Sequence, residues 1–328
     1  MIDSARKTIS LSRTLTPRAS GIALVMLVLF SCTASADTAS ADGDIHRITF
    51  AITLPTSLLG KGAAVVWDDL LQARDIAAEH YGLDISFIKR RDWHEVVNAL
   101  ESGDADAACM PPYYYAAAKH RNAACSIRPL AVFSTGGSPN SRTCFFRISP
   151  GGPESADQPL DSLYGSRLAF PDESQWILLN LIFHQSGYRF EPYYFFQSIQ
   201  LLNNESATLA MLFGEIDTVL TDETSMIYVR RIDPRLEDVG KVKCARPLPN
   251  TMIATADNMP AGAREKLLEL LSSLHSDPAF APFIDYFAPS DGHWTPADYD
   301  TFSPWTFIYA LAARRGWNKA YDNLPLGE

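Results

Sequence analysis

Residues 100–115 read LESGDADAACMPPYYY, and this stretch decides the fold. The glycine and the acidic turn after it are typical of a helix end, and residues 105–110, apolar except for Asp106, predict a buried strand. Pro111 and Pro112 stop that strand. Residues 214–218, GEIDT, repeat the order of GDADA, and apolar strand residues follow again. The repetition predicts two similar lobes.

The segments around both copies alternate between strand and helix. The patterns predict strands at residues 45–54, 83–88, 105–110, 130–133, 143–148, 167–170 and 193–196, and helices at 67–77, 93–100 and 176–185. Strand, helix and strand in succession indicate a parallel sheet with crossover helices. The predicted fold class is therefore α/β, in two lobes.

Two groups of turn residues mark where the chain leaves one lobe and returns to it. Residues 136–140 read GGSPN, and prolines at 247 and 249 precede another apolar segment. We expect one lobe from residues 45–138 and 248–328, the other from 139–247, and an aromatic, helical C-terminal addition. Ligands of such sheets bind outside the carboxyl ends of the strands, so the cleft between the lobes is the predicted site.

The N-terminal segment indicates export. Basic residues precede a short apolar run at 21–30, which predicts a signal peptide over residues 1–31 and is too short to span a bilayer. Cys32 then resembles the acylated first residue of bacterial lipoproteins, whereas a cut after Ala36 is the competing interpretation. The repeated TASAD of residues 33–42 predicts a flexible linker over residues 32–44. The expected location is the periplasm, on the membrane only through an N-terminal lipid.

Composition narrows the function classes. The 328 residues are 47% hydrophobic, and 28 basic against 38 acidic residues give a net charge of −10. These values indicate a folded globular protein and argue against a nucleic-acid partner. Apart from Cys32, the cysteines are Cys109, Cys125, Cys144 and Cys244, which allow three pairings. Buried thiols, especially at Cys109 and Cys144, are the alternative, and the sequence leaves the choice open.

The order of several segments resembles that of phosphate/phosphonate solute-binding proteins of ABC transporters. The matching segments are residues 100–107, 112–113, 116–117, 129–131, 161–170 and Gly187. The resemblance covers most of the chain after the linker. It implies a type II periplasmic-binding-protein fold that closes on a small ligand, an ABC permease as partner and no cofactor.

One turn departs from that family. Phosphonate binders of the family carry a Ser/Thr-rich turn that holds the oxyanion, and here residues 171–176 read PDESQW. Ser174 is the hydroxyl that remains, and Asp172 and Glu173 would repel a dianion. A ligand with an amine, or an uncharged aromatic one, suits these carboxylates better.

The candidate ligand contacts follow predicted strands, and each has a structural alternative. A tryptophan and two tyrosines either line the cleft or pack in the first lobe, and the polar residues at helix starts either bind ligand or cap their helices. The candidates are Trp93, Tyr113, Tyr114, Ser174, Gln175, Trp176, Asp222, Glu223, Thr53 and Thr56.

The sequence predicts no enzyme, cofactor or metal. It contains no HExxH, GxSxG or P-loop motif, and its seven histidines show no metal-ligand spacing. Adjacent tyrosines suit ferric iron only with His or carboxylate partners, which no local spacing supplies. The predicted function is a monomeric solute-binding protein of an ABC importer that takes a small polar ligand. The alternative is an extracytoplasmic sensor or adaptor for a membrane histidine kinase.

Overall fold

The computed structural model of the protein describes residues 45–53, 57–58, 61–148, 158–283 and 292–322. The predicted signal peptide, Cys32, the linker and Thr56 lie outside these residues. Among the helices of the described residues, none is long and apolar enough to cross a membrane.

The described elements are fifteen strands, nine α-helices and several short 3₁₀ helices. The strands are β1 (His46–Ile52), β2 (Ser57–Leu58), β3 (Lys61–Gly62), β4 (Leu83–Lys89), β5 (Ala107–Met110), β6 (Ile127–Ser134), β7 (Asn140–Ser141), β8 (Thr143–Ile148), β9 (Arg167–Phe170), β10 (Ser198–Leu201), β11 (Thr218–Asp222), β12 (Val239–Cys244), β13 (Leu248–Pro249), β14 (Met252–Ala256) and β15 (His293–Pro296). The α-helices are α1 (Ala63–Tyr81), α2 (Trp93–Ser102), α3 (Pro112–Arg121), α4 (Glu173–Gln185), α5 (Asn204–Leu212), α6 (Glu223–Ile232), α7 (Ala261–Ser273), α8 (Ser303–Arg315) and α9 (Trp317–Asp322). The 3₁₀ helices are Leu160–Leu163, Pro192–Tyr194, Pro234–Asp238 and Pro278–Phe283.

A six-stranded sheet has the order β15-β6-β14-β5-β1-β4. Strand β1 is parallel to β4 and β5, whereas β14 runs antiparallel to β5 and β6. Side chains alternate between the two faces of each strand, so Ile48 and Ile253 pack with α1 and α7, and Ala51 and Met252 pack with α2 and α3. Both faces are therefore covered, as a mostly apolar sheet of this class requires.

A five-stranded sheet has the order β10-β9-β11-β8-β12. Strands β10, β9 and β11 are parallel, and β8 is antiparallel to both β11 and β12. Helix α4 is buried along most of its length, which explains why its sequence is apolar all round. The predicted α/β fold class is confirmed.

The repeated GDADA and GEIDT segments have the same local structure. Gly103 and Gly214 lie in the left-handed region, at φ 79° and 73°, where a residue with a side chain is strained. The aspartate three residues after each glycine accepts a backbone N–H from the neighbouring strand. Asp106 accepts the N–H of Thr49 at 2.7 Å, and Asp217 accepts the N–H of Arg167 at 2.8 Å. Each copy therefore turns a helix end into a strand of its own sheet.

The chain passes between the two sheets twice, through β7 and β13, which pair antiparallel. The strands of the six-stranded sheet come from residues 46–134 and 252–296, and those of the other sheet from 143–244. The division of the chain into lobes of residues 45–138 with 248–328, and 139–247, stays a prediction that this strand membership supports.

A disulfide joins Cys144 to Cys244, which face each other on the paired strands β8 and β12. The interpretation of Cys144 as a buried thiol is therefore wrong, because a partner lies opposite it in the sheet. Cys109 and Cys125 are free thiols, and burial raises the pKa of Cys109 to about 12.

One predicted strand is a 3₁₀ helix. The apolar run at residues 193–196 predicts a strand, yet the chain forms the helix Pro192–Tyr194 and only then enters β10. The apolar pattern has another cause, because Phe195 and Phe196 are buried against Phe183. Proline also fixes φ and removes an N–H donor, which favours a helix start over a ladder.

The C-terminal residues form the predicted helical addition. Helix α8 packs on α3, and α9 packs on α4. The Trp305 indole nitrogen donates to the Pro249 carbonyl at 2.8 Å, so α8 is also fixed to the second crossing of the chain.

Candidate ligand-binding site

A cavity of about 250 Å³, the cleft cavity, lies where carboxyl ends of strands from both sheets meet. Its walls follow β5 in one sheet and β9 and β11 in the other, and they include both crossings of the chain. This is the position where sheets of this class bind ligands. The lining residues are Trp93, Pro111, Pro112, Ser141, Thr143, Pro171, Asp172, Ser174, Gln175, Asn204, Asp222, Ser225, Leu248, Pro249, Asn250, Thr251 and Trp305.

Asp172 caps helix α4 from the wall of the cleft cavity. Its Oδ1 accepts the N–H of Ser174 at 2.8 Å, the N–H of Gln175 at 3.3 Å and the Ser174 hydroxyl at 2.5 Å. The first N–H groups of a helix have no partner within the helix, and a capping carboxylate satisfies them. Here those donors already bind the protein's own carboxylate.

Asp222 repeats this arrangement at the start of α6. Its Oδ1 accepts the N–H of Ser225 at 2.8 Å, and its Oδ2 accepts the Ser225 hydroxyl at 2.6 Å. Helices α4 and α6 are therefore each capped by an aspartate that also accepts a serine hydroxyl.

The charge of Asp222 acts on the carboxylate of Asp172. Burial raises the pKa of Asp172, the hydrogen bonds from Ser174 and Gln175 lower it, and the negative charge of Asp222 raises it. The net shift is upward, because a buried carboxylate near a second one is harder to ionise. The cavity thus concentrates negative charge.

Three amide side chains differ in what they leave for a ligand. Gln175 is 8% exposed, and its Oε1 has no hydrogen-bond partner among the described residues. Asn204 accepts the Thr221 hydroxyl with Oδ1 at 2.6 Å, which leaves its NH₂ group as a donor. Asn250 uses both ends, since it donates to Thr224 at 3.1 Å and accepts the N–H of Thr251 at 2.8 Å.

Two tryptophans supply the large apolar walls. Trp93 packs against Tyr114 with ring centroids 6.2 Å apart, and Trp305 is 6% exposed. Because the Trp305 N–H is held by the Pro249 carbonyl, this ring is fixed in place. Indole faces bind apolar groups and cations.

The structure brings four of the predicted residues together in the lining, namely Trp93, Ser174, Gln175 and Asp222. Each of them follows a strand at its carboxyl end, directly or at the start of the next helix. That position is the signal that identified them.

Tyr113 and Tyr114 lie in the core instead of the lining, 1% and 5% exposed. They belong to the first turn of α3, which packs against α8 and leaves them no access to the cavity. The Tyr113 hydroxyl donates to Glu173 Oε1 at 2.6 Å. Burial raises the pKa of both phenols well above the usual value.

Trp176 and Glu223 also point away from the cleft cavity. Trp176 is fully buried, and its indole nitrogen donates to the Trp317 carbonyl at 3.0 Å. It lies farther along α4 than Ser174 and Gln175, and a helix turns about 100° per residue, so it faces the core. Glu223 pairs with Arg142 at 3.1 Å and with Lys241, beside a second cavity of about 370 Å³.

Thr53 does not enter the lining. Thr53 follows β1 and lies outside the residues that form the cavity wall, and Thr56 falls outside the described residues.

Glu173 joins elements of the two sheets. Besides the Tyr113 hydroxyl, it contacts His94 Nε2 with Oε2 at 3.7 Å. The interaction with the Glu173 carboxylate raises the pKa of His94, whereas burial lowers it. This contact between α2, α3 and α4 lies next to Trp93 and Asp172 of the lining.

The prediction missed several lining residues, including Asn204, Asn250, Thr251 and Trp305. Asn204 begins α5, Asn250 and Thr251 follow the second crossing, and Trp305 is in the C-terminal addition. Asn204 does follow the carboxyl end of a strand, β10, but the sequence pattern predicts that strand at residues 193–196 instead. Long-range packing brings Asn250, Thr251 and Trp305 to the cavity, so no local pattern identifies them. The described residues contain no group of three or more His, Cys, Asp or Glu side chains placed to hold a metal ion.

Comparison with known structures supports the fold. A binding-protein component of an ABC phosphonate transporter from Pseudomonas aeruginosa has a TM-score of 0.63 at 12% identity, covering 87% of this chain and 91% of that one. PhnD1 from Prochlorococcus marinus, in complex with methylphosphonate, has a TM-score of 0.65 at 10% identity, covering 82% and 98%. A Xanthomonas citri protein bound to chloride has a TM-score of 0.60 at 16% identity, covering 82% and 99%. At these identities the likeness shows a shared two-lobed fold.

The sequence itself matches a family model. No curated protein matches the sequence. Residues 71–302, more than half of the chain, match the model described as "ABC transporter, phosphonate, periplasmic substrate-binding protein". The chain therefore belongs to the periplasmic substrate-binding proteins of the phosphonate ABC-transporter family.

Proposed function

We propose that this protein is the exported substrate-binding component of an ABC importer, and that it captures a small polar ligand in the cleft cavity by closure of its two lobes. The observation that carries the proposal is the position of the cavity, at carboxyl ends of strands from both sheets and beside the two crossings of the chain. A ligand bound there touches both sheets, so it favours the closed arrangement.

The protein then delivers the ligand to an ABC permease and performs no chemistry on it, and we expect it to act as a monomer. The sensor alternative shares the same cavity and the same crossings, and no observation favours it separately.

A ligand screen on the purified protein tests the proposal. Thermal unfolding is followed with phosphate, methylphosphonate, sulfate, amino acids and polyamines, and tryptophan fluorescence reports on Trp93 and Trp305. A ligand at 100 times its Kd adds about 2.7 kcal/mol to the unfolding free energy. Asn204→Ala alters the cavity wall and should weaken the response, whereas Asn122→Ala, an exposed helix-end asparagine, should not. Equal responses in the two variants, or none from any compound, would contradict the proposal.

We further propose that the protein is held at the periplasmic face of a membrane through an acylated Cys32. Cys32→Ser should then move the protein from the membrane fraction to the soluble fraction of cells. An unchanged distribution would mean that residues 32–44 are not a lipid tether.

A further inference from the structure

The charged lining residues of the cleft cavity are all acidic. Asp172 and Asp222 are its charged residues among those described, and the wall includes no lysine, arginine or histidine. Arg142, between β7 and β8, and Lys241, on β12, both form ion pairs with Glu223. A dianion would therefore meet two carboxylates and no compensating cation, in a site where like charges cost more than in water.

The groups that would bind an oxyanion are already occupied. The N–H groups of a helix N-terminus and serine hydroxyls are good hydrogen-bond donors to anions. At α4 the N–H groups of Ser174 and Gln175 and the Ser174 hydroxyl donate to Asp172. At α6 the N–H and hydroxyl of Ser225 donate to Asp222. The protein's own carboxylates thus stand where a phosphonate would have to bind.

Gln175 gives independent evidence that the cavity binds a hydrogen-bond donor. Its side chain is more than nine-tenths buried, lines the cavity and leaves Oε1 without a partner among the described residues. An unpaired buried acceptor destabilises the protein, and a ligand N–H would remove that cost. Rotation of the amide by half a turn exchanges its oxygen and nitrogen, so the acceptor can be presented to the cavity.

The remaining walls suit the body of a small cation. Trp93 and Trp305 line the same cavity as the two carboxylates, and indole is the side chain that attracts cations most strongly. The volume of about 250 Å³ lies at the lower end of ligand cavities and fits a small organic molecule.

We propose that the ligand of the cleft cavity is a small organic ammonium ion, whose N–H groups donate to Asp172, Asp222 and the amide oxygen of Gln175. Simple phosphonates and other oxyanions are then excluded, although the family is defined by phosphonate binding. This inference rests on the proposed function, since it names the ligand class of the same site.

Four probes of similar size distinguish the contribution of a positive ammonium group from that of a negative phosphonate group. They are n-propylammonium, ethylphosphonate, 2-aminoethylphosphonate and n-propanol, titrated into the purified full chain by calorimetry near neutral pH. We expect n-propylammonium to bind, and ethylphosphonate and n-propanol not to bind. 2-Aminoethylphosphonate should bind more weakly than n-propylammonium, because its phosphonate would lie near two carboxylates without a compensating cation. Asp172→Asn and Asp222→Asn keep a capping side chain and remove the charge, so each should weaken amine binding about 10- to 100-fold.

Two further variants separate binding from folding. Asp298→Asn is the matched control, because Asp298 accepts the N–H and hydroxyl of Thr301 in the same pattern and lies outside the cavity. It should leave amine affinity unchanged. Gln175→Leu removes the unpartnered amide, so it should preserve or raise the Tm of the free protein while weakening amine binding. A purely structural role of Gln175 would lower the Tm and leave affinity unchanged.

The outcomes distinguish this inference from the proposed function. Binding of ethylphosphonate, or its strengthening by the Asn variants, would overturn the ammonium assignment and leave solute capture standing. Amine affinity unchanged in both Asn variants would overturn the assignment as well. A folded protein that responds to none of the four probes overturns the ammonium assignment, and a lack of response to the broader screen also overturns the proposed function.

Discussion

Asp106 and Asp217 make the same hydrogen bonds at equivalent positions of the two repeated turns. Each carboxylate accepts the N–H of a strand residue, Thr49 or Arg167, whose carbonyl in turn accepts the aspartate's own N–H at 2.8 and 3.0 Å. An apolar side chain next to each acid is buried, at Ala105 and Ile216. The acid is therefore required where a helix end must enter a buried strand.

Replacement of these acids tests that requirement. Asp106→Ala leaves the Thr49 N–H without its partner, and we expect a loss of about 1–3 kcal/mol in the free energy of unfolding in urea. Asp217→Ala should also destabilise the protein, because the Arg167 N–H loses its acceptor. Asp104→Ala, an exposed acid of the same turn, is the control and should change stability little. Equal effects of Asp104→Ala and Asp106→Ala would show that the carboxylate contact is not what stabilises the turn.

The His94–Glu173 contact should make stability depend on pH. The interaction with the Glu173 carboxylate raises the pKa of His94 above 6.5, against the opposing effect of burial. Asp92 also raises this pKa and Arg121 lowers it. A raised folded-state pKa stabilises the protein below the unfolded pKa, and this contribution disappears as pH rises through the folded pKa.

His94→Gln measures this contribution. The variant should lose stability relative to wild type at about pH 5.5 and match it more closely at about pH 8.5, where histidine is neutral in both states. His275→Gln, an exposed histidine, should show no such difference between the two pH values. A His94 ring that titrates below 6.5 by NMR would refute the assignment.

Part of the site is predictable residue by residue. Trp93, Ser174, Gln175 and Asp222 follow strands whose carboxyl ends meet, and that rule needs only the local pattern. The orientation of a side chain is not local. Tyr113 follows a strand just as Trp93 does, yet packing of α8 on α3 buries it.

At the scale of elements, the β8–β12 pair carries a covalent link that sequence spacing leaves open. Cys144 and Cys244 are separated by 100 residues and become neighbours through antiparallel pairing. Three pairings were compatible with the cysteine positions, and tertiary structure decides among them. The same limit explains residues 193–196, whose aromatic pattern serves the core and not a strand.

The disulfide should contribute substantially to stability. The chain-entropy account gives about 4–5 kcal/mol for closing a loop of this length, and strain reduces that value. We expect a peptide map without reductant to contain the Cys144–Cys244 link, with Cys109 and Cys125 alkylated only after unfolding. Reductant should lower the Tm of the wild type but not that of the Cys144→Ala/Cys244→Ala variant. A link to Cys109 or Cys125 would contradict the structure.

At the scale of the whole molecule, the two lobes are predictable because short sequence patterns indicate them. These patterns are the repeated glycine-acid turn and the turn residues at the two crossings of the chain. How the C-terminal addition joins them is not local. Helix α8 packs on α3, which follows β5 of the six-stranded sheet. Helix α9 packs on α4, which follows β9 of the five-stranded sheet. Trp176 of α4 completes its hydrogen bonding only through the carbonyl of Trp317.

Helix α9 should therefore stabilise α4 and the five-stranded sheet. A chain that ends at Gly316 exposes Trp176, which is otherwise fully buried, and removes the acceptor of its indole N–H. A large aromatic side chain buries about 150–250 Å², so we expect a loss of roughly 2–4 kcal/mol and faster hydrogen exchange along α4. A chain that ends at Asp322 retains α9 and is the matched control. If both chains unfold at the same temperature, the contact between α9 and α4 is not a stabilising one, and α8 alone fixes the addition to the fold.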